Sequence, residues 1–249
     1  MVVKREKMGT SSLAAFQERV FDVWLPSFCD APHRCYSKVG FKRESISNLE
    51  ELDAYWFLEA VDLGLVYEEK GCFVAPLSKA KEQIFWEGSK KIEPRPITLW
   101  IEPVITIGAL AKLYKRHGWP KDKLGAQSKT WAFDLVGYGE SSEDELLVCE
   151  VKKSAKEIDS LIELMKVYGN DGSIEEPDSG KERNAYKKVA GIIRSWPSIF
   201  FALGPSDYSK IFTIMRKGNI EFILIEQDAS ILNYDSLNKQ IQPTQKTRG

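Results

Sequence analysis

The chain lacks a dominant charge: 35 Lys and Arg stand against 36 Asp and Glu, a net charge of −1 over 249 residues. Proteins that coat nucleic acid non-specifically are normally basic, so that class is excluded. An enzyme that gathers carboxylates for a metal and keeps a local basic surface is not. Cysteine is scarce too. The four, at positions 29, 35, 72 and 149, are too few and too scattered for a disulfide framework, and a reduced, cytoplasmic protein is expected. No apolar run reaches the ~18 residues of a membrane span. The N-terminal "MVVKREKMGTSS" has charges with no apolar segment behind them, so no signal peptide is expected. Internal repeats and low-complexity segments are also absent.

What is present predicts a folded α/β protein. Hydrophobic residues make up 43% and charged residues 29%, enough for a core. Leu13, Phe16, Val20 and Val23 recur at helical spacing, predicting a helix over 12–24 that Pro26 ends. Ser47 and Glu50 read as a capping box for a helix over 49–63, with Gly64 as its stop. "LVYEEKGCFVAP" reads as a β-hairpin turning at Glu69-Lys70-Gly71. "KIEPRPITLW" reads as a linker, which places a boundary near residue 92.

Beyond it the spacing predicts a helix over 103–117, a loop "GWPKDKLGAQSKT", a strand "WAFDLVGY", an acidic turn and a strand "LLVCEVK". A capped helix from Ser154 to Tyr168 follows, then a helix over 182–196. "SIFFAL" reads as a buried strand and "KIFTIM" with "IEFILIE" as a hairpin. Residues 1–92 are thus expected as a small helical domain ending in a hairpin, 93–235 as an α/β domain and 236–249 as a loose tail.

Three charges sit where apolar residues are expected. Asp134 interrupts one strand; Glu150 and Lys152 interrupt the next. Strand residues two apart share a face, so Glu150 and Lys152 point the same way with Val148. Leu147, Cys149 and Val151 point into the opposite layer. The short turn makes the two strands antiparallel partners, which lets Asp134 and Glu150 reach one point. Two converging carboxylates repel unless a cation lies between them, and oxygen ligands suit Mg²⁺ or Mn²⁺. Acid, acid and lysine around a divalent ion can hydrolyse a phosphodiester.

Asp134 followed by Glu150-Val151-Lys152 resembles the D-(x)n-E-x-K signature of the restriction-endonuclease-like, or PD-(D/E)XK, nuclease superfamily. The resemblance covers about 100–226 and includes the order helix, Asp strand, E-x-K strand, helix, helix, strand. It implies a mixed β-sheet core flanked by helices and metal-dependent cleavage of nucleic acid, DNA before RNA. Asp134 and Glu150 would be metal ligands with the Val151 carbonyl, and Lys152 would position or activate water. Glu102, 32 positions before Asp134, would be the additional acid that many members carry on the preceding helix. The residue before Asp134 is Phe133 rather than Pro, and no Gln follows in the next helix. A homodimer is among the assemblies the resemblance implies.

Lys121, Lys123, Gln127 and Lys129, just ahead of the Asp strand, are candidate contacts to phosphates or bases. Lys181, Arg183, Lys187 and Lys188 in "KERNAYKK" read as an exposed amphipathic face. Cys29, His33 and Cys35 read as a plain loop rather than a zinc site. His117 closes a helix, where a partly charged imidazole suits the dipole. The aromatics of "AYWFLEA" read as core. A helix followed by a hairpin over 45–76 is weakly similar to a winged-helix domain. The alternative to a nuclease is a catalytically silent module that keeps the fold and binds nucleic acid or protein. The intact Asp, Glu and Lys argue against it. A hydrolase of another phosphate ester is the third reading.

Overall fold

Helix begins where Ser11 caps it: its Oγ accepts the Ala14 N–H at 3.1 Å. A computed structural model of the chain describes residues 11–129, 132–141 and 144–241. Trp131 at the head of the expected Asp strand, part of the acidic turn and the tail from 242 onward lie outside them. The first helical run spans α1 (Ser12–Arg19), a π-helical turn (Val20–Trp24) and α2 (Leu25–Cys29). Pro26 does not end it. The Leu25 N–H bonds the Val20 carbonyl five residues back, which starts a new helical register. Pro26 then sits in the first turn of α2, where its missing N–H costs nothing.

The expected capping box does not form either. Ser47 lies in a 3₁₀ segment (Arg43–Asn48), donates to the Glu44 carbonyl at 2.6 Å, and leaves Glu50 as N-cap of α3 (Glu51–Asp62). Ile46 and Leu49, both buried, hold that segment against the core. Gly64 stops the helix with φ +64°. β1 (Tyr67–Glu69) and β2 (Cys72–Val74) form the expected hairpin, and β3 (Glu82–Gln83) adds to β2. Lys70 and Gly71 have φ +55° and +74°, the left-handed pair of a tight two-residue turn. β4 (Phe85–Glu87) pairs with β5 (Ile97–Leu99), so "KIEPRPITLW" closes a second hairpin rather than running as a linker.

α4 (Ile101–His117) follows, ended by Gly118 at φ +70°. Every residue from Pro103 to Leu113 on it is buried. β6 (Leu124–Ala126), expected as loop, opens the main sheet. Then come β7 (Leu135–Tyr138), β8 (Glu145–Val151), α5 (Ala155–Asn170), α6 (Gly180–Ser195), β9 (Ile199–Leu203), β10 (Ser209–Arg216), β11 (Phe222–Gln227) and α7 (Tyr234–Ile241). α7 occupies the start of the expected loose tail, and its Leu237 is buried in the core. The segment "KIFTIM" is strand throughout.

The fold class is mixed α/β. Six strands stand in the order β11-β10-β9-β8-β7-β6; β8 and β9 run parallel and every other neighbour is antiparallel. The helices between β8 and β9 make that parallel connection. Strand alternation sends Leu135, Leu147, Cys149 and Val151 to one face, against α4 and the N-terminal helices. Val148, Phe200, Ala202 and Phe212 face the other way, against Ile158, Ile162, Val189 and Ile192 of α5 and α6. The first apolar cluster is continuous from Phe16 to Leu237, across residue 92. No helix among the described residues is long and apolar enough to cross a membrane.

Candidate functional site

The register of the central hairpin decides what meets. β7 and β8 pair as Leu135↔Cys149 and Val136↔Val148, and one further step sets Asp134 across from Glu150. The Asp134 N–H donates to the Cys149 carbonyl at 3.0 Å, and its Oδ2 accepts the Val151 N–H at 2.8 Å. The carboxyl group thus ties the end of β8 to the strand beside it. Glu150 points into the α5–α6 layer, as alternation demands, and is 1% exposed.

An acid that deep needs counter-charge. Lys152 Nζ donates to Glu150 Oε1 at 2.5 Å and to the Val151 carbonyl at 3.0 Å. The second cation is Lys188 of α6, whose Nζ lies 2.5 Å from Glu150 Oε2. Lys188 also donates to the Ala132 carbonyl and rests 5.5 Å from the Phe133 ring centroid. It is therefore not part of an exposed face, as the helix pattern suggested. Lys188 follows buried Ala185 by three positions and precedes buried Ile192 by four, so the spacing carried the signal.

The electrostatics follow from this packing. Burial pushes the Asp134 carboxyl up to about 8, and the Glu150 charge adds to the shift. The ammonium groups of Lys188 and Lys152 and the Val151 N–H oppose it. Burial acts against the Lys152 ammonium, but Glu150, Asp134 and Glu102 outweigh it and hold that lysine above its ordinary range. Near neutral pH Asp134 is mostly protonated and Lys152 charged.

Glu102 stands in the first turn of α4, where its Oε1 accepts the Lys153 N–H at 3.3 Å, just beyond β8. Lys153 itself turns outward to Glu157, 3.8 Å away and well exposed. A cavity of ≈ 180 Å³ opens beside Lys152 between α5 and α6, walled by Leu161, Leu164 and Asn184.

The other sequence candidates are engaged elsewhere. Lys121 donates to the Leu63 carbonyl and Lys123 to that of Glu140. Gln127, at φ +60°, reaches Glu82 at 3.4 Å. The Lys129 N–H donates to Glu145 at 2.8 Å, and its ammonium lies 5.5 Å from the Tyr138 ring centroid. Glu82 is a buried acid that sequence reasoning passed over, and burial raises it to about 7. The "CDAPHRC" loop is organised by Arg34, which bonds Glu87 and Gln83 and covers the Phe28 ring at 3.9 Å. Burial holds His117 below its ordinary value, which works against the expected partial charge.

Among the described residues no three of His, Cys, Asp and Glu cluster as a metal cage. Two carboxylates and a main-chain carbonyl do converge at the end of β8. They are oxygen donors of the kind a hard divalent cation takes, and burial together with the Glu150 charge keeps the proton on Asp134. No family model, curated protein or solved structure matches the chain.

Proposed function

We propose that the chain is a metal-dependent nuclease with a restriction-endonuclease-like core, hydrolysing phosphodiester bonds in nucleic acid, DNA first among the substrates to test. The observation that carries this reading is Asp134 set opposite Glu150, with Lys152 on the face of Glu150, Glu150 buried and Asp134 half-buried. With the short strand β6 inserted after α4, the order α4, β7, β8, α5, α6, β9 supports it, following the order that the resemblance implies.

Asp134, Glu150 and the Val151 carbonyl would hold the ion. Bound there, a divalent cation polarises a phosphate oxygen and lowers the pKa of water. Lys152 keeps its proton at neutral pH, so it orients water and stabilises charge growing on the phosphate rather than serving as a base. Lys188 neutralises the inner oxygen of Glu150 and ties α6 to β8. Glu102 fixes the chain just after Lys152 through the Lys153 N–H.

The test is incubation of the pure protein with DNA and RNA, with and without Mg²⁺ or Mn²⁺. Cleavage should require the metal and fall at least ~100-fold in Asp134→Ala and in Lys152→Ala. Cleavage that survives either substitution would remove this site. Absence of both cleavage and any Mg²⁺-dependent thermal shift would leave the silent binding module.

A further inference from the structure

Two large aromatic side chains reach solvent next to each other on one hairpin. Trp86 is 56% exposed and Trp100 37%. Their rings meet edge to face, centroids 5.2 Å apart at 83°. Both belong to the β4–β5 hairpin. Trp86 pairs with Thr98, and the Trp100 N–H donates to the Ile84 carbonyl at 2.8 Å, one step further along the ladder. Alternation puts Trp86, Thr98 and Trp100 on one face, while Phe85, Ile97 and Leu99 are buried on the other. The buried face carries the stability, and the solvent face of such a hairpin is ordinarily polar.

The pair also adjoins the candidate reaction centre. Trp100 caps α4, and two residues later comes Glu102, whose carboxylate holds the backbone just after Lys152. The loop that joins β4 to β5 carries Lys90, Lys91 and Glu93, all exposed and without an ion-pair partner among the described residues, a net positive charge. Arg95 on the same loop is committed to Glu87 at 2.8 Å. Exposed indoles on a hairpin whose loop carries unpaired ammonium groups complement a chain that alternates flat rings with phosphates. A duplex hides its base faces in its own stack, and an apolar peptide would leave both lysines unanswered.

We infer that Trp86 and Trp100 form a stacking platform for unpaired bases, which makes single-stranded nucleic acid the substrate class of the adjacent site. The inference rests on the nuclease reading for the site, but not for its test. Binding of short labelled oligonucleotides, DNA and RNA, is measured by fluorescence anisotropy without divalent metal. Single strands should bind at least ~10-fold more tightly than duplex, and Trp86→Ala with Trp100→Ala should cost ~10- to 100-fold for single strands only. An abasic strand offered to the unaltered protein should lose a similar factor, a comparison that needs no variant to fold. Phe at both positions should restore most of the affinity.

Binding by the Ala variant within twofold of the unaltered protein, or equal losses for intact and abasic strands, would overturn the platform. Cleavage in Mg²⁺, with Asp134→Ala as control, is scored separately. Ring-dependent binding without cleavage upholds the platform and removes the nuclease reading. Cleavage with ring-independent binding removes the platform alone.

Discussion

Asp134→Asn should stabilise the protein, and increasingly so as pH rises. In the folded chain Asp134 holds its proton up to about pH 8; an ordinary Asp releases it near 3.8. Between those values the folded state carries more protons than the unfolded one, so folding stability falls as pH rises through the window. The loss is complete above the folded value. Each pH unit is worth about 1.4 kcal/mol, which over roughly four units sets a ceiling near 6 kcal/mol. Asp134 keeps some contact with solvent, so a gain of about 2–4 kcal/mol is expected in practice. Asn retains an oxygen for the Val151 N–H but cannot ionise. The two proteins should match at about pH 4 and diverge to a plateau above pH 8, a Tm difference of very roughly 5–15 °C. Thermal and urea denaturation in chelator across this range measure it, and saturating Mg²⁺ should narrow the gap by stabilising the ionised carboxylate. A difference that is flat with pH, or that shrinks as pH rises, would refute the account of the buried acid pair.

Three further outcomes test other parts of the structure. Lys188→Met keeps the stem over Phe133 but strips Glu150 of one of two cations; urea denaturation should show a loss of about 3 kcal/mol. Lys187→Met, on the exposed side of the same helix, should change stability by less than about 0.5 kcal/mol, and equal effects at the two positions would contradict the buried pairing. Glu82→Gln should stabilise above about pH 7 by roughly 1–3 kcal/mol and have no effect below about pH 4.5, because burial raises that acid and the destabilisation develops between those values. Gly71→Ala places a Cβ 2.5 Å from the Phe28 Cβ at φ +74°, so a loss of roughly 2 kcal/mol or more is expected in thermal melts, and a neutral result would mean the hairpin is not seated on Phe28.

The parts of the site that were legible in the sequence are those governed by a short-range rule. Alternation in a strand puts Glu150 and Lys152 on one side, and a tight antiparallel turn puts Asp134 next to them. Lys188 comes 38 positions after Glu150. Only the parallel return of β9, with α5 and α6 laid over the sheet, brings it above the acid, and no local pattern encodes that crossing. Local signals also misled where tertiary packing outweighed them. Ser47 and Glu50 had the spacing of a capping box, yet burial of Ile46 and Leu49 tightened the segment into a 3₁₀ turn. Pro26 ordinarily breaks a helix, but a π turn ahead of it removed the need for its missing donor. β6, three residues with a glycine at its centre, is too short to show a period. Gly125 is there because the Leu77 backbone lies where a side chain would be, 2.6 Å from a Cβ.

The burial of α4 on every side has a consequence for how the molecule comes apart. α3 lies along one flank of it so closely that a Cβ on Gly108 would stand 3.0 Å from the Trp56 Cβ. The other flank faces Leu147 and Cys149 of the sheet. Asp53 on α3 also accepts the Ser206 N–H at 3.0 Å, bonding the early helices to the loop after β9. Heat or denaturant that strips α3 away would wet the same helix that seals the sheet and carries Glu102 at its tip. The two halves of the chain should therefore melt as one cooperative unit, and the acid pair should lose its shape in the same step.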